Sequence, residues 1–396
     1  MSAPYFPHTL FAPSNTQEVR GLVAPHRYIQ GPGAIARLGS ALHVMQVGRA
    51  GLLITEGGRK RLGEKLDETL SAAEIETVPT VFDGECSLEQ IERSVRDLTN
   101  DKEPIDCLIG VGGGKCLDAA KAIAHRVGVC VAVVPSLAST DAPCSAVSVL
   151  YTPEGAMSGA EFFPENPALV LMDTELLVSA PPRYLVAGMG DALATWYEAR
   201  VCQDNSKASS VLGCRPTLAA SSIGALCSQT IYDRGEEAFD AARTGVLNSG
   251  FEDVVEANTL HSGMGFESGG LAAAHAVASG LTFIPRVDEA AMHGEMVALG
   301  ILTQLVLEDN EEELERARAF FLKVGLPVHF GQVELNLESD EADAQVFVAA
   351  TCGYPTMANM PLSVTDDVLL AAIRKVDALG RAAVKSSGDA AWRSLR

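Results

Sequence analysis

Short apolar runs alternate with amphipathic stretches through the first half of the chain. Residues 51–55, Gly-Leu-Leu-Ile-Thr, form one such run and predict a buried strand closed by a turn at Glu56-Gly57-Gly58. Helical spacing follows over 60–73, strand-like alternation over 75–82, and helical spacing again over 87–98. Residues 105–111 predict a second buried strand. Gly112-Gly113-Gly114 then turns the chain into a helix over 115–127, and a strand over 129–134 stops at Pro135. Further strands are expected over 145–151 and 168–173. This alternation predicts a parallel sheet covered on both faces. After Pro181-Pro182 the texture changes to Ala- and Leu-rich helical spacing with few β-branched runs. The predicted division is an N-terminal extension over 1–25, an α/β domain over 26–180 and an all-helical domain over 181–396. Four Pro fall in the first 25 residues, which read as an irregular or disordered extension.

Composition narrows the classes. With 396 residues and 47% hydrophobic content, the chain can bury a large core in two or more domains. A formal charge of -21 repels phosphate backbones and anionic lipid, so neither nucleic acid nor membrane is an expected partner. The acid run over 308–313 is most simply a solvated helix face. The nine Cys are scattered and contain no Cys-x-x-Cys, which points to a reducing compartment rather than a disulfide framework or a thiolate zinc site. No secretory signal is expected, and the longest apolar run, near 127–134, is far too short to span a bilayer.

Candidate chemistry concentrates in the helical half. His275 ends Gly263-Met-Gly-Phe-Glu-Ser-Gly-Gly-Leu-Ala-Ala-Ala-His275, and His293 lies in Ala291-Met-His-Gly-Glu295. An imidazole in such apolar surroundings must find a partner. Singly, each is best read as a core histidine bonded to a backbone carbonyl; two together favour shared ligation. Asp191 supplies a third donor, isolated within Ala187-Gly-Met-Gly-Asp-Ala-Leu-Ala-Thr-Trp196. One carboxylate and two imidazoles leave a coordination position open, the pattern of a catalytic divalent metal. The spacing is not His-Glu-x-x-His. In the α/β half, Gly110-Val-Gly-Gly-Gly-Lys115 lies between strand and helix, where glycines admit a close ligand and a helix start favours anions. It matches neither the dinucleotide fingerprint nor a Walker loop, and a plain tight turn explains it equally well. Asp118 can serve the dipole of that helix. The loop over 136–145 carries Ser136, Ser139, Thr140, Asp141 and Ser145 at the carboxyl end of a strand, where ligands bind in such sheets and ordinary turns also occur.

Four stretches taken together resemble a known family: Gly112-Gly-Gly-Lys-x-x-Asp118-x-x-Lys121, Ala138-Ser-Thr-Asp-Ala-Pro-Cys-Ser-Ala146, Gly190-Asp-Ala-Leu-Ala-Thr-Trp196 and Gly265-Phe-Glu-Ser-Gly-Gly-Leu-Ala-Ala-Ala-His275. They are similar to the glycerol dehydrogenases, metal-dependent group III alcohol dehydrogenases with a dehydroquinate synthase-like fold. The likeness runs from about Gly31 to near Leu326. It implies a Rossmann-like domain followed by an all-helical one, with zinc on Asp191, His275 and His293. It implies that Asp141 holds substrate hydroxyls, and that NAD lies on Gly112, Gly113, Gly114 and Lys115 beside Ser136, Leu137, Ser145, Val147 and Tyr151. The implied reaction takes hydride from the middle carbon of glycerol, giving dihydroxyacetone and NADH. A cytoplasmic homo-oligomer, often an octamer, is the family habit.

Departures are specific. Where the family carries an Asp after the second strand, this chain has Thr55 and Glu56, with Arg59 and Lys60 close behind; an acid there excludes the extra phosphate of NADP and an Arg accommodates it. His261 is read as a packing or outer residue. Other readings are a sister enzyme on another diol or aldehyde, a lyase of the dehydroquinate synthase kind, and a non-catalytic relative. A phosphorylated or acidic substrate would want Lys or Arg beside Asp141, His275 or His293, and none stands there in sequence.

Overall fold

The computed structural model describes residues 5–8, 19–100 and 103–396. Residues 1–4 and 9–18 of the expected extension lie outside these. Its end is not irregular: Arg20–Gly21 pairs in parallel with Arg215–Pro216. By internal contacts the chain forms two compact units. One contains residues 23–138 and 142–180; the other contains 139–141 and 181–396.

The first unit is built on six parallel strands. These are β1 (Tyr28–Gly31), β2 (Arg49–Ile54), β3 (Glu76–Val81), β4 (Cys107–Gly112), β5 (Cys130–Pro135) and a last strand, Leu169–Asp173, in the order β1, Leu169–Asp173, β5, β4, β2, β3. The interior strands are buried along almost their whole length because helices cover both faces. The edge strand β3 is half exposed and carries Pro79, a residue that cannot donate to a ladder. Helices α1 (Leu38–Val44), α2 (Glu56–Ala72), α3 (Leu88–Thr99) and α4 (Gly114–Val127) complete the unit.

Several boundaries differ from expectation. The turn expected at Glu56-Gly57-Gly58 is the first turn of α2, because the Thr55 hydroxyl caps it by accepting from the Gly58 N–H at 2.9 Å. The strand expected over 145–151 is Val147–Tyr151. It stands apart from the main sheet in an antiparallel hairpin with Met157–Phe162, which sequence patterning did not reveal. Asp118 does not serve the helix dipole. It is buried, lies 2.9 Å from Lys121 Nζ and accepts from the Val149 N–H at 3.0 Å, tying that hairpin to α4.

The second unit is helical. Its main members are α5 (Pro182–Asp204), α6 (Leu218–Thr244), α7 (Ser249–Glu256), α8 (Ser262–Gly269), α9 (Ala273–Leu281), α10 (His293–Leu307), α11 (Glu311–Val324), α12 (Glu341–Gly353) and α13 (Asp366–Ser387). A π-helical turn, Ala257–His261, joins α7 to α8. The acid run is not one helix face. Glu308 ends α10 and pairs with Arg200 at 2.5 Å, Asp309 takes a left-handed φ of 54°, and Asn310 caps α11. Among the described residues no helix is long and apolar enough to cross a membrane.

Candidate functional site

Glycine sets the geometry of the helical unit. A Cβ on Gly294 would lie 1.8 Å from the Ala187 carbonyl oxygen, and one on Gly190 would lie 2.3 Å from the Gly294 carbonyl. Helices α5 and α10 therefore touch backbone to backbone, one residue from Asp191 and one from His293. Gly300 repeats the contact against the Ala274 carbonyl, at 2.1 Å, and brings α9 with His275 onto α10. No side chain larger than hydrogen fits at these crossings.

The three expected donors meet there. One ligand atom from each of Asp191, His275 and His293 lies within 4.8 Å of the other two. Nε2 of each imidazole stands 3.4 Å from Asp191 Oδ1. Neither Asp191 oxygen has a hydrogen-bond partner, although both are buried. A buried carboxylate without donors is costly unless a cation answers it. Burial alone would raise the Asp191 pKa, but His293 and His275 hold it well below the usual carboxylate range. This donor set fits a divalent metal.

Two buried side chains orient His275. Glu198 Oε1 accepts the N–H groups of Ala272 at 2.7 Å and His275 at 2.9 Å. Gln304 Oε1 accepts those of Ala273 and Ala274, each at 3.1 Å. Together they satisfy the orphan amides at the start of α9. Glu198 Oε2 also meets His275 Nδ1 at 2.5 Å. Burial pushes the His275 pKa down, but Glu198 and Asp191 outweigh it and raise it well above the usual value. Glu198 was missed from sequence. The signal was present: Asp191, Thr195 and Glu198 share one face of α5, and no other charged residue falls between Leu185 and Glu198. His293 begins α10, where Glu295 accepts the Met292 N–H at 2.9 Å and is gripped by Arg183 at 2.8 and 2.7 Å. Arg183 is thus engaged by Glu295.

Asp141 belongs to the same compact unit. Its Oδ2 accepts from the Ser262 hydroxyl at 2.8 Å, and Ser262 in turn lies 2.9 Å from Thr195 Oγ1. Burial, then the Asp191 charge, raises the Asp141 pKa well above normal. Ser262 follows the π-helical turn, a feature frequent at functional sites and without a sequence signature here. His261 pairs with Glu256 at 3.1 Å.

In the first unit the glycine turn leads β4 into α4. Gly110 sits where a Cβ would be 2.5 Å from Ala120 Cβ, and Gly113 faces Leu137. No side chain caps α4, whose N-terminal cap residue is Gly113, which suits an anion. Lys115 Nζ lies 2.9 and 2.7 Å from the two Glu85 oxygens and 4.4 Å from the Tyr151 ring centre. Ser136 and Leu137 follow β5, Ser145 is buried with its hydroxyl donating to the Ala142 carbonyl at 3.2 Å, and Val147 and Tyr151 bound one hairpin strand.

Residues 25–174 match the model of the iron-containing alcohol dehydrogenases. The glycerol dehydrogenase of Escherichia coli O6:H1 is 43% identical over 369 residues, covering 91% of this chain and 98% of that one. The chain belongs to the iron-containing alcohol dehydrogenase family. It is accordingly an oxidoreductase, and the resemblance extends beyond the span from Gly31 to Leu326. A glycolaldehyde reductase of Halobacterium salinarum is 37% identical over 90% of this chain and 97% of its own. The crystal structure of glycerol dehydrogenase from Schizosaccharomyces pombe superposes with a TM-score of 0.87 at 35% identity, covering 94% of both chains. The expected fold class, a Rossmann-like sheet unit followed by helices, is that of this family.

Proposed function

We propose that this chain is an NAD-dependent glycerol dehydrogenase with one divalent cation, zinc, per subunit on Asp191, His275 and His293. The observation that carries the metal is the Asp191 carboxylate, buried and without a hydrogen-bond donor, with two imidazoles beside it. The identity to E. coli glycerol dehydrogenase supports the substrate. A cation there, when bound, polarises a substrate hydroxyl and lowers its pKa. NAD, when bound, supplies the hydride acceptor.

The chain's own residues do the rest. Asp141, aligned by Ser262, takes a neighbouring hydroxyl of the polyol and so favours vicinal diols. Glu198 and Gln304 fix the start of α9 and thereby His275. Residues 26–180 hold the cofactor: Gly112, Gly113, Gly114 and Lys115 receive its phosphates, and Ser136, Leu137, Ser145, Val147 and Tyr151 line the remainder. NAD is favoured over NADP because Arg59 is held by Asp67 at 2.9 and 3.0 Å, while Glu56 opens α2 with an acid. Residues 181–396 hold metal and most of the substrate contacts. The ligand set contains no thiolate and accepts ferrous iron as well as zinc. The molecule is read as a cytoplasmic homo-oligomer, up to an octamer.

A steady rise of NADH absorbance on adding glycerol tests the activity, with metal analysis of the purified protein beside it. His275→Ala should abolish the reaction and leave the fold intact; a parental rate in that variant sinks the metal assignment. The likeness to a glycolaldehyde reductase favours a second reading, reduction of a small hydroxyaldehyde. A panel of polyols and aldehydes, with NAD and NADP in parallel, separates the two.

A further inference from the structure

We propose that Glu198 is a positioning residue that holds His275 in the one tautomer able to ligate through Nε2. The inference rests on the metal reading above and deepens it. Glu198 is fully buried, so no water competes for its oxygens. A carboxylate can only accept. Oε1 is occupied by two backbone N–H groups, and Oε2 lies 2.5 Å from His275 Nδ1. The shared hydrogen therefore sits on Nδ1. In the neutral ring the lone pair is then on Nε2, the atom that faces Asp191 Oδ1 at 3.4 Å. The other tautomer would set an Nδ1 lone pair against a carboxylate oxygen at contact distance.

A second role has to be told apart from this one. Glu198 also caps α9, and a capping residue would be needed whatever the ring does. Glu198→Gln separates them because it matches the native side chain in shape. Its amide oxygen still accepts from Ala272 and His275, so the cap survives. The opposite amide orientation would press an NH2 group against two N–H donors. The NH2 group must then face Nδ1, which becomes an acceptor and moves the ring hydrogen to Nε2, where it blocks ligation.

The test is zinc affinity of the full chain after metal stripping, read by competition with a chromophoric chelator. Glu198→Gln should bind zinc roughly 10- to 100-fold more weakly than the parent. Its metal-free melting temperature should match that of the metal-free parent. Glu198→Asp, which keeps the charge but withdraws it from the ring, should show a smaller loss and serves if the Gln variant does not fold. Parental zinc affinity in whichever variant folds overturns the proposal. His275→Ala runs alongside. If it loses zinc while the Glu198 variants keep it, the positioning role fails and the metal site stands. If it too binds zinc like the parent, the metal reading itself fails.

Discussion

Gly294→Ala is the sharpest probe of how the helices place the three donors. The added Cβ would lie 1.8 Å from the Ala187 carbonyl oxygen and 2.6 Å from its carbon, whereas ordinary contact begins at 3.4 Å. The obstacle is backbone on a packed helix, so no side chain can swing aside. Helices α5 and α10 must separate by roughly 1.5 Å, which is overpacking of the kind that costs about 1–3 kcal/mol. At about 2–4 °C per kcal/mol for a unit of this size, the melting temperature should fall by roughly 2–12 °C. Function should suffer more, because Asp191 rides on one helix and His293 adjoins the new methyl on the other. A misplacement near 1 Å costs on the order of 100-fold in rate. Thermal melts, zinc competition and glycerol-dependent NADH formation read the three effects. Gly353→Ala is the control, since nothing lies within 4 Å of its added Cβ. Parental zinc affinity and rate in Gly294→Ala would refute the claim that backbone contact at this crossing sets the site.

Three further outcomes are expected. Ser262→Ala removes the 2.8 Å donor to the buried Asp141 carboxylate; at about 1–3 kcal/mol for such a loss, KM for glycerol should rise about tenfold with KM for NAD unchanged, and an unchanged glycerol KM counts against the role of Asp141. In the metal-free protein Asp141 is raised well above its usual value by burial and then Asp191. His275 is raised as well, Glu198 and Asp191 outweighing its burial. The metal-free state thus holds protons that a cation must displace, so zinc affinity should climb from about pH 6 to about pH 8, and a flat profile argues against this coupling. Cys130 pairs in register with Cys107, whose neighbouring thiol, against burial, lowers the Cys130 pKa to about 7. Iodoacetamide should therefore label Cys130 first near neutrality and more slowly in Cys107→Ala, as peptide mapping would show; equal rates in both proteins would dismiss Cys107 as the cause.

What could be read from sequence follows from burial. Strands β2, β4 and β5 are buried on both faces, so their apolar runs stand out, as does Leu169–Asp173. Tyr28–Gly31 is half exposed at the sheet edge, and Met157–Phe162 is largely exposed, with Gly159 at a φ of 152°. Neither leaves an apolar run to find. The start of α2 was hidden because Gly57 and Gly58 look like a turn, while Thr55 makes them a capped first turn. Asp191, His275 and His293 were visible because each is a polar residue among small apolar ones. Glu198 and Ser262 were not singled out, since their partners, His275 Nδ1 and Asp141, are 77 and 121 residues away.

The charge distribution supports the proposed cation more strongly than any single distance does. Asp141, Asp191 and Glu198 are all buried in one helical unit of a chain that is already strongly acidic. Among the described residues no Lys or Arg forms an ion pair with any of them; His275 answers Glu198 and shares Asp191 with His293. An uncompensated buried charge costs several kcal/mol, and Asp191, whose two oxygens have no hydrogen-bond partner, is the carboxylate left for a cation to answer. Arg183, on the same helix as Asp191 and Glu198, is held by Glu295 instead. The helix crossings at Gly190, Gly294 and Gly300 thus hold the three donors together.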